Sequence, residues 1–235
     1  MNEHISSAYN DDLDGLTALV MKMGGMVEEA ILDAAKSLEG QDVELAKTVR
    51  AKDKAIDALE LEINDVAAKI IALRAPVSKD LRSILTVLRL AASLERIGDY
   101  AKNMAKRTSA LADMPTHTGS SSSLRRMSRE VQLMLKDVLD AYIRRDVALA
   151  EAVRQRDQDV DQMYNALFRE FLTFMMEDPR QITACMHLHF MAKNIERMGD
   201  LTTNMAEQVI YLVTGEMPDE DRPKLDRTSY LSELD

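Results

Sequence analysis

The chain repeats itself, and this repeat constrains its fold more than any other feature of the sequence. Residues 42–50 read DVELAKTVR, and residues 146–154, which lie 104 positions later, read DVALAEAVR. Further along, residues 95–105 (ERIGDYAKNMA) are matched by residues 196–206 (ERMGDLTTNMA), now at an offset of 101 positions. Agreement at this density predicts that one supersecondary unit is used twice.

Apolar residues in both copies recur every three or four positions, which is the period of a helix with one buried face. The composition agrees, because only 4% of the residues are aromatic and there is no Trp, so strand formers are scarce. Pro76 and Pro179 interrupt the apolar pattern, since proline lacks the amide donor that a helix interior needs. We therefore predict six long helices, over residues 11–38, 42–73, 78–111, 124–144, 146–176 and 180–214.

Three helices in each copy predict an all-α fold made of two tandem three-helix bundles related by pseudo-twofold symmetry. The first unit spans residues 8–113 and the second spans residues 124–214. Residues 114–123 (MPTHTGSSSS) are rich in turn formers and predict a linker between the units. The polar, proline-containing residues 215–235 predict a flexible tail.

Charge and composition exclude several classes of protein. A net charge of −10 argues against a nucleic-acid partner, because proteins that bind phosphate backbones present a basic face. No apolar run approaches the roughly 20 residues that span a bilayer, and residues 1–14 lack a signal-like apolar core. We therefore expect a soluble, cytoplasmic protein without a membrane span. Cys185 is the only cysteine and lies in an apolar helical pattern, which is typical of a buried, inert thiol.

Acidic residues recur one helical turn apart on the second and third predicted helices of each unit. The third helices carry them opposite the apolar stripe, and the second helices carry them at its border. The candidates are Asp53, Asp57, Glu95, Asp99 and Asn103 in the first unit, and Asp157, Asp161, Glu196, Asp200 and Asn204 in the second. If the helices pack side by side, four carboxylates converge in each unit, and a bound cation would relieve their repulsion. Oxygen ligands suit magnesium, calcium, manganese or iron, so we predict two metal sites.

Other interpretations of these residues remain open. Acidic pairs on one helix face are often only solvated. Gly98 and Gly199, each in mid-helix, fit close packing of two helices as well as access to a metal. In the second unit His189 and Lys193 fall on the acidic face, where the first unit has Leu and Ala. His189 could add a nitrogen ligand and Lys193 could neutralise part of the site, although a solvated or hydrogen-bonded histidine is the simpler interpretation.

Other functions also remain open. The carboxylates could belong to a metal-dependent phosphohydrolase or to another carboxylate-bridged metalloenzyme, although no Glu-x-x-His motif of the di-iron bundles occurs. The chain could instead be a purely structural bundle. Leu81, Leu85 and Leu88 lie away from the predicted core stripe and indicate a further packing surface, for the partner unit, a second subunit or another protein. We predict a homodimer.

The paired motifs resemble those of the PhoU family of phosphate-uptake regulators. Two E-R-x-G-D-x-x-x-N-M-A segments, each preceded by a helix with D-x-x-x-D, carry the resemblance together with residues 76–82 (PVSKDLR), over about residues 8–214. The resemblance implies a pair of three-helix bundles that bind clusters of metal, iron or zinc, at the bundle surface. It assigns the eight carboxylates above to the two sites, with Asn103 and Asn204 as weaker candidates.

The same resemblance implies a regulatory role rather than an enzyme. The protein would restrain phosphate uptake and phosphate-starvation signalling, and so transcription indirectly. It would do this as an adaptor between a phosphate ABC transporter and a sensor histidine kinase. The residues alone lead only to a metal-binding helical protein, because nothing in their spacing names phosphate.

Overall fold

A computed structural model describes residues 2–112, 114 and 118–218 of the chain. Within these residues the chain forms helices and turns but no strand, so the predicted all-α, six-helix fold is confirmed. A single 3-10 turn, Pro179–Gln181, precedes the last helix. The helices are α1 (Asn2–Glu39), α2 (Val43–Arg74), α3 (Ser78–Leu111), α4 (Thr118–Arg144), α5 (Val147–Glu177) and α6 (Ile182–Thr214).

The turn between the first and second helices of each unit is built in the same way twice. Asp42 caps α2 and Asp146 caps α5, and each carboxylate accepts a hydrogen bond from the backbone amide three residues further on, at 2.9 and 3.0 Å. The residue before each cap, Gln41 or Arg145, adopts a left-handed φ of 50° or 55° that ends the preceding helix. The repeat therefore includes backbone conformation as well as sequence.

The helix ends differ from the predicted ends mainly around the predicted linker. α1 begins nine residues earlier than predicted, at Asn2. α4 begins at Thr118, so residues 118–123 are helical although their serines are typical of turns. Ser120 is buried, and its hydroxyl donates a 2.6 Å hydrogen bond to Glu170 on α5. Such tertiary contacts outweigh the local turn propensity of a serine run.

The predicted tail lies mostly beyond the described residues. α6 ends at Thr214 and is capped by Gly215, whose amide donates to the carbonyl of Tyr211 at 2.9 Å. The described residues continue as far as Pro218. The remainder of the predicted tail, residues 219–235, lies outside the described residues.

The two predicted three-helix bundles share one core. In the first unit α1, α2 and α3 contact one another, as α4, α5 and α6 do in the second. The units meet where α1 packs on α4 and α3 packs on α6, so α1, α3, α6 and α4 form a ring of four helices. α2 then covers the α1–α3 side of this ring, and α5 covers the α4–α6 side. One continuous cluster of buried side chains joins both units.

The leucines that were predicted to form a further packing surface on α3 are divided between the core and solvent. Leu88 packs against the shared core, Leu81 is half-buried, and Leu85 is 42% exposed. α3 also contacts α6 of the other unit. Association into a homodimer stays a prediction.

Two further features bear on the environment of the protein. In the part of the chain that the structure describes, no helix is both long enough and apolar enough to cross a bilayer. The thiol of Cys185 is buried in the core of the second unit, as predicted.

Candidate metal centre

A lysine of the chain itself lies among the predicted carboxylates of the first unit. The ammonium of Lys102 donates hydrogen bonds to Oδ2 of Asp53 at 2.5 Å and to Oδ1 of Asp99 at 2.7 Å. Lys102 follows Asp99 by three residues, so the two side chains lie on the same face of α3. The contact between α2 and α3 then brings Asp53 to the same point. Sequence reasoning missed Lys102, although its spacing from Asp99 was a usable signal.

The carboxylate of Asp53 is the most buried of this group. The residue is 4% exposed, whereas the side chain of Asp99 is 44% exposed. Oδ1 of Asp53 is buried and accepts no hydrogen bond from any of the described residues. Burial raises the pKa of Asp53, and the charges of Asp57 and Asp99 raise it further, while the hydrogen bond from Lys102 opposes them.

Glu95 is repelled by four neighbouring carboxylates. Burial is the largest cause of its raised pKa, and Asp99, Glu60, Asp57 and Asp53 follow in that order. Glu60 was not among the predicted ligands, although it follows Asp57 by three residues and therefore shares its helix face. Negative charge is thus concentrated around Glu95. We call this group of five carboxylates, with Lys102 among them, the first acidic patch.

The second unit places its predicted ligands at the corresponding contact, between α5 and α6. Asn204 is exposed, as Asn103 is in the first unit. The other four candidates are buried or half-buried: Asp157, Asp161, Glu196 and Asp200. Again a lysine is present, since the ammonium of Lys193 donates to Oε1 of Glu196 at 2.9 Å. We call these four carboxylates, with Lys193, the second acidic patch.

The prediction that the third-helix acids face away from the core is wrong for Glu196, which is only 6% exposed. The helical wheel considered one buried stripe on each helix. α6 is instead contacted by α3, α4 and α5, so little of its surface remains open to solvent.

A metal ion would meet a patch that already holds a cation. No three or more Asp, Glu, His or Cys side chains in the described part of the chain are grouped so that they could hold one metal ion. In the first patch the ammonium of Lys102 stands between Asp53 and Asp99, where it takes the place that a metal cation would take. The oxygen ligands and the unpaired Oδ1 of Asp53 suit a hard cation in their chemistry. Binding would require Lys102 to move away and a further carboxylate of the patch to turn toward Asp53 and Asp99.

Comparison with known proteins identifies the family. Residues 20–108 and, separately, residues 124–209 match the PhoU domain. The chain belongs to the PhoU family. A relative from Caulobacter vibrioides, named as a phosphate-specific transport system accessory protein PhoU homolog, is 46% identical over 226 residues, which are 96% of this chain and 98% of the relative.

Solved structures agree with this assignment. The crystal structure of PhoU from Pseudomonas aeruginosa matches with a TM-score of 0.85 at 37% identity and covers 88% of this chain and 100% of that one. The phosphate transport system regulatory protein PhoU from Streptococcus pneumoniae matches with a TM-score of 0.83 at 28% identity, covering 90% and 99%. The resemblance to the PhoU family that the sequence motifs indicated is therefore confirmed.

The glycines of the two PhoU domains mark where the second and third helices of each domain touch. A Cβ added at Gly98 would lie 3.2 Å from Ile56, and one added at Gly199 would lie 3.3 Å from Val160. The added Cβ atoms would also lie 3.9 Å from Oδ1 of Asp53 and 3.4 Å from Oδ1 of Asp157, the first aspartate of each D-x-x-x-D pair. Close helix packing thus explains both glycines, and it also holds each aspartate against the third helix.

The two PhoU domains differ beside their acidic patches. Tyr164 stands at the position that Glu60 occupies in the first domain. Its ring lies 6.0 Å from that of His189, which also packs against Phe168 and Phe190. Nδ1 of His189 is buried and has no hydrogen-bond partner among the described residues. Burial lowers the pKa of His189, and the charge of Lys193 lowers it further. His189 is therefore a packed aromatic ring in the second domain.

His187 lies two residues before His189 and faces elsewhere. Its Nδ1 is 3.2 Å from the guanidinium of Arg107 on α3, so the two histidines do not face a common point. This agrees with the rule that side chains at i and i+2 of a helix point apart.

Proposed function

We propose that this chain is a cytoplasmic accessory regulator of a phosphate transport system, which restrains phosphate uptake and phosphate-starvation signalling. The proposal is supported by membership of the PhoU family. It is also supported by the similarity of nearly the whole chain to proteins named as accessory or regulatory components of phosphate transport. The chain acts as an adaptor rather than an enzyme. Its partners are the cytoplasmic parts of a phosphate ABC transporter and of a phosphate-sensing histidine kinase.

In this proposal each acidic patch binds metal, and the two sites make the adaptor metal-dependent. The carboxylates of Asp53, Asp57, Glu95 and Asp99 hold the first site, and those of Asp157, Asp161, Glu196 and Asp200 hold the second, with Asn103 and Asn204 beside them. Magnesium, manganese, iron or zinc would supply the positive charge that these carboxylates lack. The observation that carries the proposal is that the same motif, used twice, places acids at the α2–α3 contact and at the α5–α6 contact.

Metal content tests the two-site part of this proposal. The full chain is purified without added metal or affinity tag and analysed by mass spectrometry. We expect at least one metal ion per chain in the wild type, and its loss from a variant in which four ligands are replaced, Glu95→Ala, Asp99→Ala, Glu196→Ala and Asp200→Ala. A matched control removes four exposed acids elsewhere, Glu44→Ala, Glu62→Ala, Asp159→Ala and Glu177→Ala. Equal metal contents in the two variants would overturn the two-site assignment.

Deletion of the gene tests the regulatory part. We expect phosphate uptake and the expression of phosphate-starvation genes to rise under plentiful phosphate, and the wild-type copy to restore both. Unchanged uptake and expression would contradict the proposal. Restoration by the variant that lacks four ligands would show that regulation does not need metal.

The phosphohydrolase stays the alternative to the adaptor. Metal-dependent turnover of a generic phosphoester by the wild type, lost on Asp99→Ala and Asp200→Ala, would replace the adaptor proposal. The corresponding measurement uses the same purified chain with each metal added in turn.

A further inference from the structure

Lys102 joins two helices through carboxylates that a metal would otherwise hold. Asp53 belongs to α2 and Asp99 to α3, and the ammonium of Lys102 is within 2.7 Å of both. A lysine ammonium is charged at neutral pH, and here both of its acceptors are carboxylates. The first acidic patch therefore contains its own counter-ion.

The second acidic patch obtains its ammonium from a different position. Lys193 precedes Glu196 by three residues, whereas Lys102 follows Asp99 by three. Neither lysine is repeated, because the position that matches Lys102 in the second unit is Thr203, and the position that matches Lys193 in the first is Ala92. Each unit thus places a lysine against its carboxylates independently of the sequence repeat. A lysine copied along with the motif would stand at the same position in both units.

We propose that Lys102 is an internal competitor for metal at the first acidic patch, occupying the point between Asp53 and Asp99 until a metal ion displaces it. This inference rests on the metal binding proposed above. Two cations between the same oxygens repel each other, so the ammonium leaves when the metal enters. Lys102 can leave without movement of the backbone, since its side chain is 37% exposed and its four-carbon stem is flexible. The affinity of the patch for metal then includes the work of breaking both hydrogen bonds.

A purely structural role for Lys102 makes a different prediction. If the lysine only ties α2 to α3, its removal lowers the stability of the metal-free protein and leaves the affinity for metal unchanged. If it competes with metal, its removal also tightens binding. The two roles are therefore separated by measuring affinity and stability on the same variant.

The test is a titration of the metal-stripped full chain with manganese, and separately with zinc, by isothermal calorimetry. We expect Lys102→Met to bind metal about three- to tenfold more tightly than the wild type, the range expected from losing one partly exposed ion-pair competitor. Lys106→Met is the matched control, because Lys106 lies one turn further along α3 and is exposed. It removes the same charge and should leave the affinity close to that of the wild type.

The outcomes separate this inference from the proposal on which it rests. If the wild type binds metal and Lys102→Met binds it no more tightly than Lys106→Met does, the competitor role is overturned and the metal site stands. If the wild type binds no more metal than the variant lacking four ligands, the competitor role and the metal site are both overturned.

A measurement on the wild type keeps the inference testable if Lys102→Met fails to fold. In ¹⁵N NMR the hydrogen-bonded ammonium of Lys102 should give a signal in the metal-free protein, assigned by its absence from Lys102→Arg. Zinc is the metal added in this experiment, because it is diamagnetic. We expect the ammonium signal to shift or disappear as zinc saturates the first patch. A signal that persists unchanged at saturation would overturn the proposal.

Discussion

The two units share a scaffold but neutralise their charges in different ways. In both, an aspartate caps the second helix, and a glycine lets the second and third helices touch. The first patch includes Glu60, whereas the second unit has Tyr164 at that position, next to the ring of His189. The two units thus share the residues that pack the helices together, but they differ in the charged and aromatic residues around the carboxylates. The two patches should therefore respond differently to substitution.

The largest expected effect concerns the contact under each glycine. Ile56→Ala should lower the free energy of unfolding by about 2–5 kcal/mol, because the buried side chain packs on Gly98 and leaves a cavity. Val160→Ala, its counterpart against Gly199, removes one methylene less and should cost about 1 kcal/mol less. Urea denaturation of both variants measures the difference. A larger loss for Val160→Ala would show that the second unit depends more on this contact.

The next effect concerns the ion pairs that hold the second helix of each unit, α2 or α5, against the first. Arg156 on α5 pairs with Glu130 and Asp137 on α4, both at 2.6 Å, and its side chain is 28% exposed. Its counterpart Lys52 pairs with Glu29 alone, and its side chain is 46% exposed. Arg156→Met should lower the free energy of unfolding by about 1–2 kcal/mol, and Lys52→Met by less. Equal losses in urea denaturation would contradict this ordering.

A smaller effect concerns the repulsion in the first patch. The pKa of Glu95 is higher in the folded protein than in the unfolded chain, so its ionisation destabilises the fold. This destabilisation is absent below the unfolded pKa and develops as the pH rises through the folded pKa. Glu95→Gln should therefore stabilise the metal-free protein at pH 7, with no gain at a pH below the unfolded value.

Urea denaturation at a series of pH values measures this effect, with Glu44→Gln as a control at an exposed acid. The same Glu95→Gln variant should bind metal more weakly, because the carboxylate that destabilises the apo protein is a proposed ligand. A variant that is both no more stable and equally able to bind metal would remove Glu95 from the patch.

The smallest expected effect concerns His189. His189→Leu gives the second unit the residue that the first has at this position, Leu88. Since Nδ1 of His189 makes no hydrogen bond to the described residues, we expect a change of less than about 1 kcal/mol in unfolding free energy. Metal content by mass spectrometry should not change. Loss of metal from the second patch would instead identify His189 as a ligand.

Most of the fold was predictable because it depends on patterns that are local and repeated. Apolar periodicity located all six helices, and the span of α3 matches its predicted residues. The start of α4 was missed because the serines near Ser120 are turn formers by local propensity but are buried by tertiary contact. No local pattern carries that information.

The candidate site was predictable in its acids but not in its charge balance. The spacing of the carboxylates indicated which residues share a helix face. It did not indicate that Glu196 would be buried, since that depends on three neighbouring helices. Lys102 and Glu60 were missed because only acids one full turn apart were considered, although a spacing of three residues also places side chains together.

The ring formed by α1, α3, α6 and α4 has a consequence for the origin and handling of the chain. Two copies that each contribute a pair of helices to a ring, α1 with α3 and α4 with α6, have the geometry of an isologous dimer. The present chain corresponds to such a dimer with its subunits joined end to end. The segment between α3 and α4 links the two units covalently, and the apolar core that they share keeps them packed together. A chain severed between residues 112 and 118 should therefore remain assembled, and either half alone should aggregate.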